Sequence, residues 1–239
     1  MNWEKVKNFL IFLFLGINIF LVFFMLNSVK TTSSTSKAVI EDTVSILAAN
    51  NVTVDSHMVP YSIDNPGTFD AVPININHAY DSPKTLSPSN TESEIKKALA
   101  VIGVKNFYMS QTDEKNYYIA QKIGGYTLFD SGINAKTEGN RITLTGTWYK
   151  QKTKPKVDGF SGDSLVSVTG VLIDFINNPD RNPASDNSIV SIGFGYGIPH
   201  YDSGVPHVSV PAVPCYSIIT SSGRMFIYEA ARGEYLKNK

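Results

Sequence analysis

From Phe9 to Leu26 the chain is apolar at every position except Gly16 and Asn18. A helix of these 18 residues, at about 1.5 Å per residue, reaches roughly 27 Å, close to a hydrocarbon core of about 30 Å. The pattern predicts a single N-terminal transmembrane helix over residues 9–26. A cleaved signal peptide would end in small residues. The exit here reads FFMLNSVKTT, with bulky side chains and no lipid-accepting cysteine, so an uncleaved signal anchor is the expectation.

Beyond the anchor, NSVKTTSSTSK has almost nothing to bury and reads as a tether over residues 27–37. Three helical patterns follow. In AVIEDTVSILAANN, Ile40, Val44 and Leu47 recur at spacings of four and three, as one helix face requires. In TESEIKKALAVIGV, Thr91 and Glu94 have capping-box spacing, Ile95, Ala98, Leu99 and Ile102 form the stripe, and Gly103 supplies the stop. In GDSLVSVTGVLIDFINNPD, Asp163 is placed to cap, Leu165, Val168, Leu172 and Ile176 form the stripe, and Asn177-Asn178-Pro179 ends it.

The last two helices each lead into strand-like sequence. VKNFYMS, NYYIAQKI, YTLFDSGINAKT and RITLTGTWYK follow the first of them, broken by Gly124-Gly125 and by TEGN. SIVSIGFGYGI and CYSIITSSGRMFIYEAARGEYL follow the second, with Ser222-Gly223 as a hairpin turn. The expectation is an α+β ectodomain over residues 38–239, helices packed on antiparallel sheets, in two related subunits over 38–155 and 156–239. Residues 55–90, rich in Pro, Asn, Asp and Ser, are expected to form extended segments and loops.

Charge sharpens the membrane picture. The formal net charge is zero, and Lys5, Lys7, Lys30 and Lys37 flank the anchor with only Glu4 opposing them. That leaves 17 basic and 20 acidic residues from position 38 onward, so no surface for nucleic acid is expected. Lys5 and Lys7 beside the apolar run favour an inside N-terminus, with Trp3 at the interface. Residues 1–8 are then a cytoplasmic head, and the protein is a single-pass protein of the cell membrane with its ectodomain outside the cytoplasm.

The residue types point to no catalytic, cofactor or metal site. HYDSGVPH gathers His200, Asp202 and His207 at a spacing that matches no standard zinc pattern. Capping and a wet helix face account for Asp163 and Asp174, and no G-x-S-x-G is present. The glycines of GFGYG sit inside a strand pattern, where they mark a bulge or a close backbone contact rather than a phosphate cradle. The single cysteine, Cys215, reads as a small buried hydrophobe. Phe107, Tyr108, Tyr117, Tyr118, Tyr126 and Phe129 crowd one strand group. Most belong to the core, and any left exposed would suit another protein.

Taken in order, three segments resemble the YycI family of membrane-anchored regulators in low-GC Gram-positive bacteria. They are MNWEKVKNFLIFLFLGINIFLVFF, YYIAQKIGGYTLFDSGINAKTEGNRITLTGTWYKQ, and the C-terminal third, with IVSIGFGYGI and VPAVPCYSIITSSGRMFIYEAARGE. The resemblance covers the anchor and residues 95–236. It departs at Cys215-Tyr216, where the family often carries a Trp after the Pro. The resemblance implies no enzyme activity. It implies a regulator of a two-component sensor histidine kinase, acting through transmembrane helix contacts with the kinase and a YycH-like partner.

On that reading Asn18, with Gly16 nearby, is the candidate contact between helices, and Trp3, Lys5 and Lys7 anchor the interface. Asn18 costs insertion about 1–2 kcal/mol, which apolar neighbours at roughly −0.3 to −0.6 kcal/mol each outweigh. An interhelical amide bond contributes about 0.6 kcal/mol, enough to bias pairing. Two alternatives stay open. One is an extracytoplasmic binding or inhibitory module that works through exposed aromatic strands, with the anchor only a tether. The other is an anchored hydrolase.

Overall fold

A computed structural model describes Lys7, Leu13, Phe14, Ile17, Asn18 and residues 32–156, 165–199 and 209–238. Its described part is α+β, with a large, mainly antiparallel sheet. Leu13, Phe14, Ile17 and Asn18 are helical, and the rest of the expected span over 9–26 lies outside the described residues. No helix among the described residues is long and apolar enough to cross a membrane. The last part of the expected tether is ordered: β1 (Thr32–Ser34) pairs antiparallel with β2 (Ser62–Asp64).

Three α-helices stand among the described residues beyond the expected anchor: α1 (Lys37–Ala49), α2 (Thr91–Val101) and α3 (Val168–Ile176). The expected stripes are the faces that turn inward. Ile40 and Leu47 of α1, Ile95, Ala98 and Leu99 of α2, and Val168 and Leu172 of α3 are all buried. Two expected caps differ. Asp163 lies outside the described residues, and Ser167 caps α3, its Oγ accepting the Gly170 N–H at 3.3 Å. The box at α2 does not form. Thr91 Oγ1 donates back to the Ser87 carbonyl at 2.8 Å. The Glu94 carboxylate turns inward, accepting from Ser82 Oγ at 3.0 Å and Lys97 Nζ at 2.7 Å. Those two donors replace the backbone N–H that a box would have used.

Among the described residues, nine strands make the main sheet. β3 (Phe69–Asp81) pairs with β7 (Arg141–Gln151), and β6 (Tyr126–Glu138), β5 (Asn116–Ile123) and β4 (Phe107–Gln111) continue outward. On its other side β3 meets β9 (Val210–Thr220), followed by β10 (Met225–Glu229) and β11 (Tyr235–Asn238). β8 (Ile189–Gly197) pairs antiparallel with β9 and parallel with β6. Strands β3, β7, β6, β8 and β9 therefore close a circuit. Phe69, Ala71, Leu128, Tyr196, Val210 and Ala212 share the small core at that seam.

The expected turns hold. Gly124 and Gly125, at φ +59° and +93°, form the two-residue link between paired Ile123 and Tyr126. The close contact expected of GFGYG is also present: a Cβ on Gly195 would lie 2.2 Å from the Thr127 carbonyl. Only a glycine lets β8 approach β6 there.

Residues 55–90 form extended segments and loops, as expected, and one of those segments is β3, the sheet strand that joins both halves. The prolines argue for loops. Pro73 is nonetheless tolerated in the sheet because its register partner Tyr149 directs both its N–H and its C=O to Gln121, away from β3. The missing N–H of Pro73 therefore faces away from β7, just past the end of the short β3–β9 ladder at Ala71.

Two larger cores flank the seam. α2 packs on β5, β6 and β7 through Tyr117, Ile119, Ile133, Ile142 and Leu144. α1 and α3 together cover β8, β9 and β10 through Val171, Phe175, Tyr216, Ile218 and Phe226. Helix α1 thus belongs to the C-terminal core, although its sequence position lies before residue 155.

Candidate interaction groove

From Ile74 to Tyr80, β3 alternates: Ile74, Ile76, His78 and Tyr80 lie opposite Trp148, Gly146, Leu144 and Ile142 of β7. Antiparallel partners share a face, so this row points to the side on which α2 packs. The 11 residues of α2 make a rod about 16 Å long, whereas the 13 residues of β3 extend about 43 Å. One short helix cannot cover that face. Leu144 and Ile142 at one end are fully buried, whereas the other end is open at Ile74.

The open end is a groove of about 450 Å³. Its floor is apolar: Ile74, Ile76, Ile102 and Trp148 line it, and Ile74 is 41% exposed. Lys105, Lys122 and Lys150 contribute to its lining, from the loop after α2, from β5 and from β7. Asn106 and Gln151 add amides, and no carboxylate among the described residues lines the groove. None of these three lysines makes an ion pair among the described residues. By contrast, Lys96, Lys97 and Lys136 bind Glu92, Glu94 and Glu138. The Lys122 ammonium lies over the Tyr108 ring, 5.7 Å from its centroid, toward the sheet face opposite α2, which leaves Lys105 and Lys150 beside the groove.

Gln121 holds the groove's far wall. The β6–β7 ladder ends at Gly132 and Thr147, after which β6 swings toward β8. That separation would orphan the backbone of Tyr149. The Gln121 amide fills the gap, donating to the Tyr149 carbonyl at 2.6 Å and accepting its N–H at 3.0 Å. Ser131 Oγ donates to the same amide oxygen at 2.6 Å. A buried side-chain amide substitutes for the missing strand.

A second cleft, of about 560 Å³, lies at the opposite end of α2, where Thr85, Ser87, Gln111, Glu114 and Lys115 give it a polar lining of both signs. At the far end of the molecule a buried ionic cluster ties the loop after α3 to the β9–β10 hairpin. Asp186 accepts from Thr220 Oγ1 at 3.0 Å, Ser222 Oγ at 2.6 Å, the Asn182 N–H at 2.9 Å and Arg224 Nη1 at 2.6 Å. Burial pushes its carboxyl upward, but those hydrogen bonds and the Arg224 charge outweigh burial and hold it below the ordinary value. Arg181 supports the loop by donating to the Asp186 and Ile176 carbonyls. Its guanidinium lies over the Phe175 ring at 5.3 Å.

The residues singled out in the sequence are dispersed. Asn18 Nδ2 donates to the Phe14 carbonyl one turn earlier, at 2.8 Å, which satisfies one of its two N–H bonds inside its own helix. Lys7 is helical and exposed, and Trp3, Lys5 and Gly16 lie outside the described residues. So do His200, Asp202 and His207. Among the described residues no group of three His, Cys, Asp or Glu side chains is placed to hold a metal. Cys215 is fully buried, as a small hydrophobe would be.

Of the aromatic group, Tyr117 is buried and Phe107, Tyr126 and Phe129 are half-buried. Tyr108 and Tyr118 are exposed, on the sheet face opposite α2. The groove residues Ile74, Ile76, Lys105 and Lys150, and the plug Gln121, are not among the residues that the sequence marks as a site. The period-two pattern of Ile74, Ile76, His78 and Tyr80 is the signal that could have found them. No protein-family model matches the chain, and no curated protein matches it.

Proposed function

We propose that this chain is a non-enzymatic, membrane-anchored regulator of a two-component sensor histidine kinase, working through transmembrane helix contacts with the kinase and a YycH-like partner. The reading rests on the resemblance of the anchor and of residues 95–236 to the YycI family. Its two helix-and-meander units would be the related subunits of the ectodomain. The observation that carries the membrane part is at the N-terminus. Leu13, Phe14 and Ile17 are exposed on a helix while the Asn18 amide bonds back to Phe14. Exposed apolar side chains of this kind need lipid or another helix to cover them. With one N–H satisfied internally, Asn18 keeps its carbonyl oxygen and second N–H for a neighbouring helix.

The deciding experiment replaces residues 9–26 with an unrelated membrane helix and measures kinase output in cells. Altered output supports contact within the membrane, and unchanged output overturns it. A second reading, an extracytoplasmic binding module with the anchor only a tether, is favoured by the exposed Tyr108 and Tyr118 and by the open groove.

A further inference from the structure

We infer that the groove beside the C-terminal end of α2 docks an acidic segment of a partner protein, one that presents apolar side chains between its carboxylates. The inference rests on reading residues 38–239 as a binding domain, and it names the chemistry of what that domain binds. The floor supplies the apolar half of the match. Ile74 is exposed and Ile76 half-buried at the end of the face that α2 does not reach, beside the buried Trp148. A groove of about 450 Å³ falls within the usual range of about 300–1,000 Å³ for ligand pockets.

Charge supplies the other half. Lys105 and Lys150 approach from two separate elements, and no carboxylate among the described residues lines the space between them. Two like charges beside an apolar floor attract an anionic partner and disfavour a cationic one. Elsewhere on the same unit Glu92, Glu94 and Glu138 hold Lys96, Lys97 and Lys136, so carboxylates are not scarce, only absent from the groove lining. The side-chain amides of Asn106 and Gln151 favour a peptide over an acyl chain, because a peptide backbone both donates and accepts hydrogen bonds.

The test uses the full chain in nanodiscs of neutral lipid and fluorescence anisotropy of three short labelled peptides, alternating Leu/Glu, Leu/Lys and Ser/Glu. Saturable binding of the Leu/Glu peptide is expected, with the other two about tenfold weaker or worse. Ile74→Glu, and separately the pair Lys105→Glu with Lys150→Glu, should each weaken that binding about tenfold. Tyr118→Ser, on the opposite face, should leave it unchanged. Urea midpoints equal to that of the unaltered chain show that the variants remain folded.

Equal binding of the three peptides, no saturable binding, or indifference to the groove substitutions overturns the inference. So does competition by phosphatidylglycerol vesicles that the groove variants abolish, which would make the occupant a lipid. Self-association lost in Ile74→Glu overturns it as well, because the occupant would then be a second copy of this chain. The anchor serves these measurements only by holding the chain in the nanodisc, so failure of the anchor exchange and failure of the groove are separable.

Discussion

The two units of this protein solve the same problem differently. On the C-terminal side two helices, α1 and α3, cover one sheet face, and a buried carboxylate with four hydrogen-bond donors locks the adjoining loop. On the N-terminal side a single short helix lies on longer strands and leaves Ile74 exposed and Ile76 half-buried. The difference separates scaffold from surface. Where packing is complete, substitution should cost stability. Where it is incomplete, substitution should cost binding and little else.

The sharpest way to break that contrast is at Phe175, fully buried between α3 and β10 and edge-on to Phe226 at 5.1 Å. Phe175→Ala should cost about 3–5 kcal/mol in urea unfolding. A loss below about 1 kcal/mol would mean that the C-terminal core is not tightly packed. Asp186→Ala follows, at about 3 kcal/mol, since it strands the Thr220 and Ser222 hydroxyls and the Arg224 charge. The same cluster gives a pH dependence. Because the folded carboxyl titrates below its ordinary value, its stabilisation is complete above about pH 4 and disappears as pH falls through the lowered folded value. Acid titration of the Asp186→Ala variant should show a shallower loss of stability over that range.

Gln121→Leu addresses the seam between the units. It leaves the Tyr149 N–H and C=O without partners, a cost of about 2 kcal/mol. Amide exchange at Tyr149 should accelerate well before global unfolding, and unchanged protection there would show that the amide is not the plug. The smallest effect is expected at the groove, where Ile74→Ser should change stability in urea by less than about 1 kcal/mol. If that substitution proved as costly as Phe175→Ala, the patch would be core, and the contrast between the units would collapse.

Local elements are largely legible from the chain. The three helix stripes, the Gly124-Gly125 and Ser222-Gly223 turns, and the crowded glycines of β8 each depend on neighbours a few residues away, and a period or a dipeptide reports them. β3 is not legible, because prolines usually exclude a strand. Whether Pro73 is tolerated depends on which way Tyr149, a residue far along the chain, turns its peptide groups. The box at α2 fails for a related reason: Glu94 has a better donor in Ser82 than the backbone it is expected to serve, and Ser82 reaches it only through the fold.

The sequence alone determined the apolar span with its single amide, the α+β character, and the order of helices followed by antiparallel meanders. All three follow from hydrophobic periodicity and turn chemistry, which are local. Tertiary structure alone decided that α1 joins the C-terminal core and that five strands close a circuit around a small seam core. It also decided that a buried glutamine completes β7 where β6 departs, and that two lysines from separate elements flank one incompletely covered patch. Those features arise between residues far apart in the chain, where side-chain period carries no information about which surfaces meet or which are left open.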